Sequence, residues 1–393
     1  MNRYTMLFAP QVWKPSVSPL LVKLLRPFRD RQRKRSIQIS DIEVEGESIV
    51  QERLRNGEGV MLMPNHSSHA DPYVIYSAAD QIGTALHVMA TWHVFDDKSW
   101  LARWILTKHG CFSVDREAND IGAFRLATSI LQEKQEPLVI FPEGEIYHCN
   151  GQVTPFREGA AAIAVAAARK SKRPITCIPC AIQYSYVDDP TSSLLATMSE
   201  LETSIFWRPK TTEPLEKRIY EFAEALLMVK ELEYLKTTQS GRLPERIASL
   251  REHILTNVEQ RNEIASSTKS IPERVKTARK TIMEKELASD LNPAQTNQLN
   301  HDMEDLFLVV QSFSYPGDYV DNQPSIDRMA ETIDKFEEDV LQKTTADIKA
   351  DRRVKVSFGE PVEVSGDRKV KSQASTITTT IEQRVQQMLD QRG

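Results

Sequence analysis

The sequence predicts an α/β fold: a mixed, mostly parallel sheet flanked by helices, with a large α-helical insertion or subdomain. Between Ile42 and Ile182, short apolar runs alternate with helical stretches of roughly 10–15 residues, the pattern of a sheet with helices on its faces. One of those runs, Val60-Met-Leu-Met63, is apolar at every position, as a strand buried on both faces must be. The alternation stops near Asp188-Asp-Pro190, and Glu/Lys-rich helical periodicity follows from about 213 to 347.

In chain order, Val17 to Arg35 reads as a helix with Ser18 as its cap and Pro19 at its first position. Pro27 is expected to kink or end it. Ile42-Glu-Val44 alternates as a short strand, Ser48 to Arg55 is helical, and Val60 to Met63 is the buried strand. The cycle repeats with strand Leu86 to Ala90, helix Lys98 to Lys108, strand Cys111 to Val114, helix Asp120 to Lys134 and strand Leu138 to Phe141. An Ala-rich helix, Glu158 to Arg169, precedes strand Ile175 to Ile182. The insertion breaks near Gly241-Arg-Leu-Pro244, Asn292-Pro293 and Tyr315-Pro-Gly317. Val354 to Phe358 then reads as a last strand returning to the sheet, ended by Gly359-Glu-Pro361, and Thr376 to Gln391 as an amphipathic helix. The expected organisation is a basic amphipathic segment (1–40), an α/β domain (41–189), a helical insertion (190–349), a returning strand (350–371) and a C-terminal helix (372–393). No internal repeat or low-complexity tract is evident.

Composition narrows the function classes. Apolar residues at 40% and charged residues at 27% fit a folded, water-soluble chain. A net charge of −5 gives no nucleic-acid signature, and no nucleic-acid partner is expected. Charge is uneven, however: residues 1–40 hold nine Lys or Arg and one acidic residue, Asp30. Arg29, Arg31, Arg33, Lys34 and Arg35 follow the apolar stretch Leu20 to Phe28. Such a segment suits an anionic membrane surface; it also suits a Leu-rich helix packed on the core. No stretch approaches the ~20 apolar residues of a membrane span, and no signal-peptide pattern opens the sequence. The expectation is a cytoplasmic protein, peripheral on the membrane. Cys177-Ile-Pro-Cys180 has the spacing of redox motifs but lies in an extended apolar run, where ordinary buried thiols are expected.

Four segments carry candidate chemistry. Asn65-His-Ser-Ser-His-Ala-Asp71-Pro72 directly follows the buried strand, at the end where open α/β sheets bind ligands. Asp71 reads as an N-cap with proline behind it. It is near enough to fix the His66 tautomer and to favour the imidazolium formed when His66 takes a proton. A plain cap and a polar turn fit the same residues. So does a metal set of His66, His69 and Asp71, joined by His93 or His148, although no H-x-x-x-H or H-x-H-x-D spacing is present. In Gly110-Cys-Phe-Ser-Val-Asp-Arg116, the arginine ends a strand and can bind phosphate with two parallel hydrogen bonds, or pair with Asp115 or Glu117. Leu138-Val-Ile-Phe-Pro-Glu-Gly144 is a strand ending in a tight turn that holds Glu143 and Gly144 at the same sheet edge as His66. Pro155-Phe-Arg-Glu-Gly159 puts Arg157 before a helix start, where backbone N–H groups attract anions.

Together, in this order and spacing, these motifs resemble the glycerophospholipid acyltransferase family, the glycerol-phosphate and lysophosphatidate acyltransferases. Asn65-His66 through Asp71 is similar to its first block, N-H-x4-D; Gly110 to Arg116 to its second; Phe141-Pro-Glu-Gly144 to its third; and Ile178-Pro-Cys-Ala-Ile182 to its fourth. Phe156-Arg-Glu-Gly159 stands where the family usually has Phe-Lys-x-Gly. The resemblance covers roughly residues 40–185 and the strand from Val354 to Val362, not residues 190–345.

The resemblance implies acyl transfer from a thioester, acyl-CoA or acyl-carrier protein (acyl-ACP), to a hydroxyl of a glycerolipid acceptor, with no further cofactor and no metal. His66 would be the base and Asp71 its partner. Arg116, Glu143 and Gly144 would hold the acceptor, and Arg157 would assist with its phosphate. One departure stands out. After Phe-Pro-Glu-Gly many members continue Thr-Arg or Ser-Arg, whereas here Glu145-Ile146-Tyr147 follows. A carboxylate beside a phosphate is repulsive, which weakens the case for a phosphorylated acceptor. The competing readings are a non-catalytic lipid-binding or scaffold protein on the same fold, and a metal-dependent hydrolase.

Overall fold

The computed structural model describes residues 11–391 apart from 97, 117–119, 266, 269, 289–290 and 319–323, so the first ten residues of the basic segment, and Glu117, lie outside it. The elements up to residue 188 are α1 (Pro19–Ser36), β1 (Ile39–Glu45), α2 (Glu47–Arg55), β2 (Gly59–Pro64), α3 (Asp71–Ile82), β3 (His87–Thr91), α4 (His93–Asp96), α5 (Trp100–Lys108), β4 (Cys111–Val114), α6 (Ile121–Glu133), β5 (Leu138–Val139), α7 (Gly159–Ala168) and β6 (Ile175–Tyr186). Next come α8 (Thr191–Phe206), α9 (Leu215–Leu235), α10 (Leu243–Arg261), α11 (Ile271–Ala288), α12 (Pro293–Gln311) and α13 (Ile326–Val340). The chain ends with β7 (Arg352–Phe358), β8 (Val362–Val364) and α14 (Gln373–Asp390). Residues 189–349 form one compact unit, and the described residues on either side of them form the other.

The second unit holds an eight-stranded sheet of order β1-β7-β6-β2-β5-β3-β4, with β8 beside β6. Neighbours are parallel except where β6 meets β7 and β8. The fold is therefore α/β with a mixed, mostly parallel sheet, as expected. Alternation along β2 explains its unbroken apolar run. Val60 and Leu62 join one core with Val74 and Ile75 of α3. Met61 and Met63 join another with Ile130 of α6 and Ala161 of α7.

Pro179 sits inside β6 without breaking it. Pairing passes there from β8, whose first residue Val362 lies opposite Cys177, to β7, whose last residue Phe358 lies opposite Cys180. A residue without an N–H costs least in that gap. The two cysteines are buried thiols on this strand; burial pushes Cys177 up to about 12 and raises Cys180 as well.

Several local expectations are corrected. Helix α1 runs through Pro27. Arg29 ties it to α3 by donating to Asp80 at 2.6 Å, and within the helix it donates to Val22 O at 2.6 Å. Ser18 holds the cap position, but its hydroxyl makes no capping bond. Strand β5 stops at Val139, because Phe141 and Pro142 already enter the turn that Gly144 N closes on Phe141 O.

The helical unit contains an internal repeat that the sequence reading did not find. Arg218 donates through Nε and Nη2 to Glu202 at 3.0 and 2.9 Å. Arg246 does the same to Glu231 at 2.9 and 2.8 Å, and Arg274 to Glu259 at 2.9 and 2.7 Å. The three arginines stand 28 residues apart, each in the first turn of its helix and each reaching back to the helix before.

Candidate active site

Strand β2 delivers the first motif to the carboxyl end of the sheet. Asn65 extends the ladder beyond Pro64: its side chain donates to Ile182 O at 3.0 Å and accepts from Ile182 N at 2.7 Å. His66 follows, and its ring stacks on Phe141 with centroids 4.2 Å apart. Its Nδ1 lies 2.8 Å from Asp71 Oδ2. A carboxylate offers only acceptors, so Nδ1 carries the proton and Nε2 keeps its lone pair. Nε2 makes no hydrogen bond among the described residues. The His66 side chain is 16% exposed and that of Asp71 fully buried, so the dyad is open at the imidazole and closed at the carboxylate.

Asp71 differs from its expected place. It is the first residue of α3, with Ala70 before it as the cap. Its carboxylate accepts from Ser68 N at 3.0 Å and from the Tyr184 hydroxyl at 2.6 Å, in addition to His66. Burial and the neighbouring carboxylate push the Tyr184 phenol well above its ordinary value, which keeps it a donor. Tyr184 is a site residue that sequence reasoning missed. It lies two residues past the expected end of its strand, 113 residues from Asp71.

Glu143, expected to hold the acceptor, also hydrogen-bonds within the protein. It is buried, and its Oε1 accepts from His66 N at 2.7 Å. Its Oε2 accepts from Thr154 N at 3.2 Å and from the Thr154 hydroxyl. Oε1 thus ties the third motif to the first, and Oε2 ties it to the segment that leads into α7. Burial pushes this acid up to about 8, against the opposing pull of its donors.

Gly144 adopts φ +77°, a left-handed conformation that favours glycine. The Arg157 guanidinium lies 2.9 Å from where a Cβ would stand. Arg116 donates to Gly144 O from the opposite motif. Glu145 lies 2.9 Å from Arg116 and 4.0 Å from Arg157. Tyr147, whose phenol burial pushes up to about 12, hydrogen-bonds Arg157. The structure thus brings Arg116, Gly144 and Arg157 together around a residue outside the predicted site, Glu145. Of the alternative metal set, which was His66, His69 and Asp71 joined by His93 or His148, only His69 and His148 bring ligand atoms within 4.8 Å of one another among the described residues, and no such group includes His66 or Asp71.

Residues 41–183 match the family model Acyltransferase. This part of the chain belongs to the glycerolipid acyltransferase family, and it supports a transferase acting in acyl transfer. No curated protein matches the chain, so the match gives the family and not a member.

Proposed function

We propose that the chain transfers a fatty acyl group from acyl-CoA or acyl-ACP to a hydroxyl of a glycerol-phosphate or lysophospholipid acceptor. The observation that carries this reading is the His66–Asp71 contact, which leaves Nε2 as an unengaged base at the carboxyl edge of the sheet. Nε2 takes the acceptor's proton as its oxygen attacks the thioester carbonyl. The C–S bond breaks, and the imidazolium returns the proton to the departing thiolate. Asp71 steadies the imidazolium, and Tyr184 and Ser68 hold Asp71.

Free-thiol release by the purified chain, with glycerol 3-phosphate and lysophospholipids as acceptors, tests this. Base action by a positioned histidine is worth ~10²–10⁴-fold. His66→Ala should lose turnover by that order with an unchanged melting temperature. Normal turnover by the variant would remove the basis for the reading.

The acceptor is proposed to be met at a membrane surface. Leu20, Leu24 and Phe28 form one stripe of α1 and are 80%, 67% and 70% exposed. Arg31, Lys34 and Arg35 continue it as exposed cations. An apolar stripe ending in cations suits an anionic lipid surface.

A further inference from the structure

Helix α5 is apolar, yet the fold leaves it at the surface. Six of its nine residues are apolar, and none of the nine is buried. Trp100, Leu101 and Trp104 share one face of it and are 77%, 47% and 45% exposed. The surface continues onto α1. Ser16 N and Ser18 N donate to Thr107 O and Lys108 O at 2.9 and 3.0 Å, which ties the start of α1 to the end of α5. The Lys108 ammonium lies 6.0 Å from the centre of the Trp104 ring and donates to Ser16 Oγ at 2.9 Å. Leu20, the first residue of the α1 stripe, follows two positions after Ser18. Residues 11–29 and 98–114 hold seven Lys or Arg and no acidic residue. Lys14, Lys23 and Lys98 among them are exposed.

A contiguous apolar surface of this kind marks an interaction face. Lysine is depleted at protein–protein interfaces. Tryptophan and lysine, each an apolar body with a polar tip, instead suit the headgroup level of a bilayer. The acid-free, basic segments favour an anionic one. Position agrees with chemistry. Strands β2 and β3 are both parallel to β5, so they end on the same side of the sheet. Trp100 opens the helix that follows β3 and returns to β4, which puts it at the end from which His66 emerges. We propose that α5 is a second lipid-contacting element, with Trp100, Leu101 and Trp104 entering the headgroup–acyl boundary of an anionic phospholipid bilayer beside the α1 stripe. This deepens the membrane-surface part of the proposed function and brings the His66 end of the sheet to the lipid.

The test uses the full chain with vesicles of phosphatidylcholine and phosphatidylglycerol, plain or with brominated acyl chains, which quench a tryptophan that touches them. Brominated vesicles should quench the wild type. The double variant Trp100→Ser, Trp104→Ser should lose most of that quenching and sediment with plain vesicles about tenfold or more weakly, since two large apolar side chains no longer enter the lipid. Both residues are exposed, so its melting temperature should stay at the wild-type value. A wild type that sediments with vesicles but is not quenched overturns the inference, and so does quenching that persists in the double variant. A wild type that ignores vesicles and forms a dimer, which the double variant breaks, assigns the face to a second copy of the chain and overturns it as well. Quenching needs no turnover. Its failure therefore leaves the acyl-transfer reading of His66 standing, and an inactive chain that is quenched leaves the docking standing.

Discussion

At the scale of single residues, His66 is held at three points: its ring by Asp71 at Nδ1 and by Phe141 against its face, and its backbone N–H by Glu143. Glu143 lends this arrangement a pH dependence. Burial raises its acid from the ordinary 4.5 to about 8. Between those values the folded chain holds a proton that the unfolded chain releases, so stability is greatest below the window and falls as pH rises through it. Glu143→Gln has no such proton. Its melting temperature should be lower overall, because an amide N–H₂ now faces N–H donors, but should fall less between pH 5 and 8 than the wild type's. Parallel curves for the two proteins would contradict this role. His66 and Asp71 were legible because a six-residue motif carries both. Thr154 and Tyr184 were not, since each meets its carboxylate through tertiary folding. Tyr184 was also hidden because β6 runs on to Tyr186, past the point where its apolar pattern fades.

At the scale of elements, helix and strand types followed periodicity, and ends were lost where side chains intervene. Helix α1 runs on past Pro27, and the 141–144 turn cuts β5 to two residues. The 28-residue repeat escaped because its signature is a pairing rather than a run. Leu243-Pro-Glu-Arg246 and Ile271-Pro-Glu-Arg274 look alike, but the first copy, Pro214-Leu-Glu-Lys-Arg218, is altered, and the glutamates lie 15 or 16 residues upstream. Breaking a buried pair from one side leaves an uncompensated charge and costs ~3–5 kcal/mol. Arg246→Met should destabilise the helical unit by about that much in urea unfolding. Adding Glu231→Leu should recover most of the loss. A cost near zero for Arg246→Met would mean that Glu231 finds water, and that the repeat is held by its apolar contacts alone.

At the scale of the whole molecule, no helix among the described residues is long and apolar enough to cross a membrane. The proposed surface association is assigned to exposed side chains, those of the α1 stripe. Arg29 and Arg33 are engaged by the protein itself, Arg33 donating to Ile39 O at 2.5 Å, so the basic cluster is split between structure and surface. Sequence could count those cations but not assign them. Replacing Leu20, Leu24 and Phe28 together by glutamate should weaken sedimentation with vesicles rich in anionic phospholipid by tenfold or more, given ~0.8 kcal/mol per buried methylene. The residues are exposed, so the fold should be kept. Unchanged sedimentation would place any lipid contact elsewhere.

The central claim is that Asp71 holds His66 with its proton on Nδ1, leaving Nε2 ready to accept one. Nitrogen-15 NMR of histidine-labelled protein, recorded above the pH at which the His66 ring loses its charge, reads this directly. The account predicts a protonated Nδ1 and a bare Nε2 for His66, with the preference lost in Asp71→Ala. A proton resident on Nε2 in the wild type would contradict it.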